Sequence, residues 1–267
     1  MASVIAAPAQ DMTLVGKYRK AGRDFLKSQH QPCILEVPGL REPDITRARL
    51  SFMRFETEVP REMQNHWMLH VPRDPHFDEP DDGAIRKKGK DWKLFFHYRP
   101  NTEEILLREH GITLTSWQKD WFLSMNRIWH ACTEAHLAFA DRLDHIDPGH
   151  GLFRRALAYR HQNCLRLLSY EPRKGTIATI HTDRCAITQH IAESAPGLRT
   201  YQEDQPYDEE TPRLPNVLVF SGDQFSRITK DNVPALRHSV EDTSRGKYRR
   251  FAMVFFGKMD DSEFWPK

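Results

Sequence analysis

Between Leu165 and Phe256 the chain sets one short β-like run after another, each closed by a turn signal, and no other feature restricts its fold so tightly. The runs are Leu165 to Tyr170, Thr176 to Ile180, Ala186 to His190, Asn216 to Phe220, Ser239 to Glu241 and Phe251 to Phe256. Pro172, Pro196-Gly197, Pro215, Ser221-Gly222-Asp223 and Ser244-Arg245-Gly246 lie between them. Short strands at this spacing predict an antiparallel sandwich or barrel. No internal repeat or low-complexity tract interrupts the pattern.

The preceding segment is mixed. Leu14, Tyr18, Ala21 and Phe25 recur at helical spacing and predict a helix from about Thr13 to Lys27. Cys33 to Val37 reads as a strand stopped by Pro38-Gly39. Asp44 is a candidate N-cap for a helix running to about Arg54. Residues 71 to 91 are rich in Pro, Asp and Gly and read as a long loop. The clearest helix opens at Thr115 and Gln118, which form a capping box, and ends before Pro148-Gly149. Its apolar face is Trp121, Met125, Ile128, Cys132, Ala135, Phe139 and Leu143, which is a core-packing face. His130 and His136 sit six apart on it and do not share a face, so they do not read as metal ligands.

Composition narrows the function classes. With 39% apolar and 28% charged residues, the 267-residue chain can bury a core. No apolar run approaches the roughly 20 residues that span a bilayer, so no membrane role is expected. The net charge is +2, and the basic run Arg86 to Lys90 is short and follows the acidic stretch Asp78 to Asp82, so no nucleic-acid partner is expected. Cys33, Cys132, Cys164 and Cys185 are scattered, which argues against a zinc–thiolate site or a disulfide framework. Reduced thiols fit a cytoplasmic protein.

His-x-Asp occurs three times: His76-Phe77-Asp78, His145-Ile146-Asp147 and His181-Thr182-Asp183. Two residues apart on a strand project to one side, so such a step can deliver two metal ligands together. Two imidazoles and one carboxylate suit ferrous iron, leaving coordination positions open. Context selects among the three. His76 lies in the Pro/Asp-rich stretch, and His145 ends the long helix, where it complements the dipole. Only His181 follows one β-like run and leads into another. Downstream come Val217 to Asp223, a strand ending in a Gly-Asp turn, then His238, then Arg250 at the start of the last strand.

In this order the pieces resemble the catalytic core of the 2-oxoglutarate/Fe(II) dioxygenases of the isopenicillin N synthase-like type. Leu165-Arg166-Leu167-Leu168-Ser169-Tyr170-Glu171-Pro172 resembles that family's L-R-x-N-x-Y-P strand, His181-Thr182-Asp183 its H-T-D, Leu236 to Val240 its distal-histidine segment, and Arg250-Phe251-Ala252 its R-x-S. The resemblance implies a mainly β chain with flanking helices. It further implies one oxygenase domain over 1–267: a mixed, helix-rich region over 1–150 and a double-stranded β-helix, or jelly-roll, core over 160–258. His181, Asp183 and His238 would hold Fe(II) and form the catalytic centre, with O2 and 2-oxoglutarate as co-substrates. Arg250 would pair with the distal carboxylate of 2-oxoglutarate. Arg249, facing the other way on a strand, is the competing candidate.

Two departures bear on that anchor. Ala252 stands where the family has a serine hydroxyl, and Leu168 where it often has Asn. Tyr170 and Arg166, on one strand face, are candidates to supply the missing donor. Asp183 itself argues against halogenation, since related halogenases replace this carboxylate. The implied reaction hydroxylates, desaturates or cyclises an unactivated C–H of a small molecule, releasing succinate and CO2, in keeping with secondary metabolism. Phe95, Phe96, His97, Tyr98 and Arg99 are candidate pocket residues, with ordinary aromatic core as the plainer alternative. Phe225, Arg227 and Phe264-Trp265 are candidates to close the mouth. Two other classes compete: an oxidase with the same triad that ignores 2-oxoglutarate, and a non-catalytic jelly-roll binding protein.

Overall fold

The computed structural model describes residues 12–27, 31–65, 67–69, 82–87, 93–172, 175–243 and 246–260. Helix α1 (Met12–Lys27) and strand β1 (Cys33–Glu36) are followed by α2 (Glu42–Glu58), α3 (Arg61–Asn65), β2 (Met68–Leu69), β3 (Asp82–Lys87) and β4 (Lys93–Tyr98). Helices α4 (Thr102–His110), α5 (Ser116–Ile146) and α6 (Leu152–Tyr159) come next. The last part holds β5 (Cys164–Tyr170), β6 (Gly175–His181), β7 (Ile187–Glu193), β8 (Leu198–Gln202), β9 (Gln205–Asp208) and β10 (Asn216–Ser221), then α7 (Asp223–Ile228), β11 (His238–Asp242) and β12 (Arg250–Gly257).

The strands make two antiparallel sheets. The major sheet has the order β1-β10-β7-β12-β5-β4-β3-β2 and the minor sheet β6-β11-β8-β9. From β5 onward the chain passes back and forth between them: β5, β7, β10 and β12 lie in the major sheet, and β6, β8, β9 and β11 in the minor. This winding is the jelly roll. The N-terminal part contributes β1 at one edge and β2 to β4 at the other, so the major sheet is built from both halves of the chain.

Strand alternation gives the major sheet two faces. On the outer face Leu165, Leu167, Phe251, Met253 and Phe255 join Phe52, Phe55, Trp121 and Phe139 of the helices in one large core. On the inner face Leu168, Tyr170, Ala252, Val254 and Phe256 meet Ile177, Ala178 and Val240 of the minor sheet. The expected apolar face of α5 is buried throughout. At roughly 1.5–3 kcal/mol for each large side chain removed from water, that face alone fastens the helix to the sheet. Gln118 accepts the Thr115 backbone N–H at 2.8 Å and its hydroxyl at 2.9 Å.

Some expectations need correction. Helix α2 begins at Glu42 and runs on to Glu58, with Pro43 in its first turn, where a missing N–H costs nothing. Asp44 is therefore inside the helix, buried and paired with Arg41 and Arg127, and is not the cap. Within the stretch read as a loop, residues 82–87 form β3 and pair with β4. His76 and Asp78 lie outside the described residues. His145 sits in the last turn of α5, its Nδ1 2.7 Å from the Asp141 carbonyl.

Candidate metal centre and anchor

The pairing of β6 with β11 sets His181 directly opposite His238, with ring centroids 4.3 Å apart. Each imidazole is oriented the same way. Nδ1 of His181 lies 2.7 Å from the Thr179 carbonyl, and Nδ1 of His238 lies 3.1 Å from the Leu236 carbonyl. A carbonyl only accepts, so both Nδ1 atoms carry the proton and both Nε2 lone pairs remain for a metal. Asp183, just beyond the end of β6, places Oδ1 4.0 Å from His181 Nε2 and Oδ2 3.7 Å from His238 Nε2. One ligand atom from each residue lies within 4.8 Å of the other two. Among the described residues no other His, Cys, Asp or Glu group is arranged in this way.

The position of Asp183 is set by its backbone and by one hydroxyl. Thr188 Oγ1, from β7, donates to Asp183 Oδ2 at 2.6 Å. The Asp223 N–H donates to the Asp183 carbonyl at 2.8 Å, and the Gly222 N–H to the Ala186 carbonyl at 2.9 Å. This clamp needs glycine at 222, because a Cβ there would stand 2.3 Å from the Cys185 carbonyl oxygen and 2.6 Å from that of Asp183. Burial pushes the Asp183 carboxyl upward, but His238, His181, the Thr188 hydroxyl and Arg166 outweigh it and hold it below the usual carboxylate range. Burial, reinforced by His238, lowers His181, which favours the neutral imidazole that a metal requires.

Arg250 stands at the other end of β12's inner face, opposite Tyr170. Its guanidinium lies over the Tyr170 ring at 5.6 Å. Nη2 donates to the Glu193 carboxylate and Nε to the Ala195 carbonyl at 3.1 Å. Gly197 leaves room alongside, where a Cβ would come 3.0 Å from Nε. Nη1 is buried and has no hydrogen-bond partner among the described residues. A buried guanidinium with one open donor is a ready seat for a further carboxylate. Arg249 faces the helices, where it pairs with Glu56 of α2 at 2.5 Å.

Glu193 turns inward because β7 carries an irregularity. The register of β12 with β7 shifts between Met253 and Val254, setting His190 opposite Val254 and Glu193 opposite Ala252, both on the inner face. Simple alternation from His190 would send Glu193 outward, and the bulge re-aims it. Burial raises its carboxyl, yet His190 at 3.4 Å, Arg250 and the Thr211 hydroxyl at 2.9 Å bring it below the usual range.

Arg166 is also on the inner face of β5, but it pairs with Val254, four positions along β12 from Arg250. At roughly 3.3 Å per residue this separates the two backbones by about 13 Å. Its Nε donates to His97 Nε2 at 2.6 Å, and its guanidinium lies 4.5 Å from the Phe256 ring and 5.0 Å from that of Phe95.

No protein-family model matches the sequence, and no curated protein matches it. Solved structures do. A full-length Neurospora crassa protein in complex with alpha-KG and 5-formyluracil superimposes with a TM-score of 0.70 at 17% identity, over 94% of this chain and 81% of that one. The Arabidopsis thaliana dioxygenase for auxin oxidation 1, in its 2-oxoglutarate complex, gives 0.68 at 11% identity over 96% and 92%. JOX2 in complex with 2OG, Fe and JA gives 0.65 at 14% identity over 93% and 72%. The chain shares its fold with these three proteins.

Within this fold the expected pocket residues divide. Phe95 lies with the inner cluster and His97 meets Arg166, whereas Phe96 and Tyr98 belong to the helical core. Arg99 reaches the Gln162 carbonyl at 3.4 Å. Phe225 is fully buried in the helical core and so closes no mouth, because α7 packs it against α1 through Phe25. Arg227 pairs with Asp260 at 3.0 Å. Phe264-Trp265 lie outside the described residues. Sequence reasoning missed Thr188, His190, Glu193 and the role of Gly222; of these only Gly222 left a signal, as the glycine of the Gly-Asp turn.

Proposed function

We propose that the protein is an Fe(II)- and 2-oxoglutarate-dependent oxygenase of a small molecule. One observation carries the reading: a His-Asp-His cluster with both Nε2 atoms free lies at one end of a jelly roll whose far end holds a buried arginine with an open donor. The residues fit both groups. His181, Asp183 and His238 offer two neutral nitrogens and one carboxylate, the donor set that suits ferrous iron. Arg250 Nη1 offers a charge-assisted hydrogen bond to a distal carboxylate, with the Tyr170 ring as its floor. Bound together, iron and 2-oxoglutarate supply an oxidant able to attack an unactivated C–H, with O2 consumed and succinate and CO2 released. The chain's own part is to orient both and to keep water out, which the apolar wall of Leu168, Val254 and Phe256 serves. Hydroxylation is the simplest outcome, and four buried, free cysteines fit a cytoplasmic setting. No helix among the described residues is long and apolar enough to cross a membrane.

Anaerobic addition of Fe(II) and then 2-oxoglutarate tests this directly. The expected result is the weak visible band of a chelated 2-oxo acid in the wild type, lost in His238→Ala and weakened in Arg250→Ala. Iron binding without a band rejects 2-oxoglutarate, and absence of iron binding rejects the centre.

A second reading has a specific observation behind it. Glu193 already places a carboxylate on Arg250, and Ala252 lacks the hydroxyl that the resemblance leads one to expect. An oxidase with the same triad that draws its electrons from its substrate suits such an anchor. Succinate release during turnover separates the two.

A further inference from the structure

Arg166 is a cation on the inner wall that the proposed anchor does not use. It is half-buried, it rests against Phe95 and Phe256, and its Nε is committed to His97. Because that Nε–H donates, His97 accepts through Nε2 and carries its proton on Nδ1, so the histidine adds no second charge. The terminal nitrogens of Arg166 have no acceptor among the described residues, and no described carboxylate forms an ion pair with it. Half-buried against two aromatic faces, the guanidinium gives up part of its hydration without gaining a counter-ion among the described residues. Phe256, on which Arg166 rests, pairs with Thr188, whose hydroxyl holds Asp183, so the guanidinium lies near the metal end of the roll. If Asp183 is given over to iron, Arg166 has a full charge and a pair of donors left to offer.

We propose that Arg166 receives the carboxylate of the primary substrate, which is therefore a small organic acid with an apolar body. This rests on the oxygenase reading of the neighbouring centre. The planar fork matches a carboxylate, and Phe95 and Phe256 supply apolar surface beside it. The register keeps this acid apart from the co-substrate: Arg166 stands opposite Val254 and Arg250 opposite Tyr170, so two anions bind without sharing a guanidinium.

Calorimetry tests it on protein saturated anaerobically with Fe(II) and 2-oxoglutarate, using phenylacetate against phenylacetamide and hexanoate against hexanamide. Saturation blocks Arg250, so any acid preference arises elsewhere. The wild type binds at least one acid about tenfold more tightly than its amide, as a charge-assisted hydrogen bond predicts. Arg166→Gln loses that preference while its 2-oxoglutarate band titrates as in the wild type, and Arg166→Lys recovers part of it. Acids that bind no better than amides, or a preference that survives in Arg166→Gln, overturn the proposal. An Arg166-dependent preference in protein that gives no 2-oxoglutarate band upholds the anion site and sinks the oxygenase reading alone.

Discussion

Arg250 and Glu193 form an ion pair inside the jelly roll, with side chains only 3% and 5% exposed. Removing one partner of such a pair strands the other as an uncompensated buried charge, at about 3–5 kcal/mol. Glu193→Ala therefore lowers the unfolding free energy by about that much, and Glu193→Gln, which still accepts a hydrogen bond, by clearly less. Urea denaturation of the three proteins measures it; equal midpoints for Ala and wild type reject the energetic role of the pair.

Thr188 orients the Asp183 carboxylate through a 2.6 Å hydrogen bond. Loss of such a supporting contact costs about 10–100-fold in metal affinity. Thr188→Val therefore binds Co(II), a spectroscopic stand-in for iron, that much more weakly, and Thr188→Ser restores the affinity. Valine binding as tightly as wild type removes Thr188 from the centre.

A metal held by His181, Asp183 and His238 would stabilise the fold. A ligand at about 100 times its Kd adds about 2.7 kcal/mol, and for a chain of this size each kcal/mol raises Tm by roughly 2–4 °C. Scanning calorimetry with and without Co(II) is expected to show a rise of about 5–10 °C. Asp183→Ala is expected to abolish it. A rise that persists in the variant places the metal elsewhere.

His136 makes the fold sensitive to acid. Fully buried where α5 meets Gly257, it is pushed down to about 4 by burial. The unfolded chain takes up its proton near 6.5 and the folded chain only near 4, so stability is complete above pH 6.5 and falls as pH drops from 6.5 to about 4. At about 1.4 kcal/mol per pH unit, the loss is about 3 kcal/mol. Chemical denaturation across that window shows the slope in the wild type, and His136→Asn flattens it; identical slopes assign the acid sensitivity to other groups.

The strands of the roll are legible in the sequence because β5 and β12 are bounded by turn residues and follow one another at regular spacing. The His181-Thr182-Asp183 step is legible because it ends one strand and precedes another. β4 is not, since Lys93-Leu94-Phe95-Phe96-His97-Tyr98 is buried on both faces and shows no alternation. β9 is not, because all four of its residues are exposed and it follows the tight turn at Glu203 and Asp204. Glu193 stays hidden for a different reason. Its direction depends on a shift in pairing with β12, which no local pattern encodes. The hydroxyl of Thr188 is likewise a matter of where β7 falls beside the β6 end.

That shift has an evolutionary corollary. One surplus residue in β7 is absorbed by the bulge, so His190 and Glu193 both face the cavity although they stand three positions apart. Deleting it restores strict alternation and still leaves Glu193 opposite Ala252, so its pairing with Arg250 survives. A single-codon deletion at the bulge therefore leaves the charge of this end of the cavity as it is, with every side chain of the triad and of β12 unchanged.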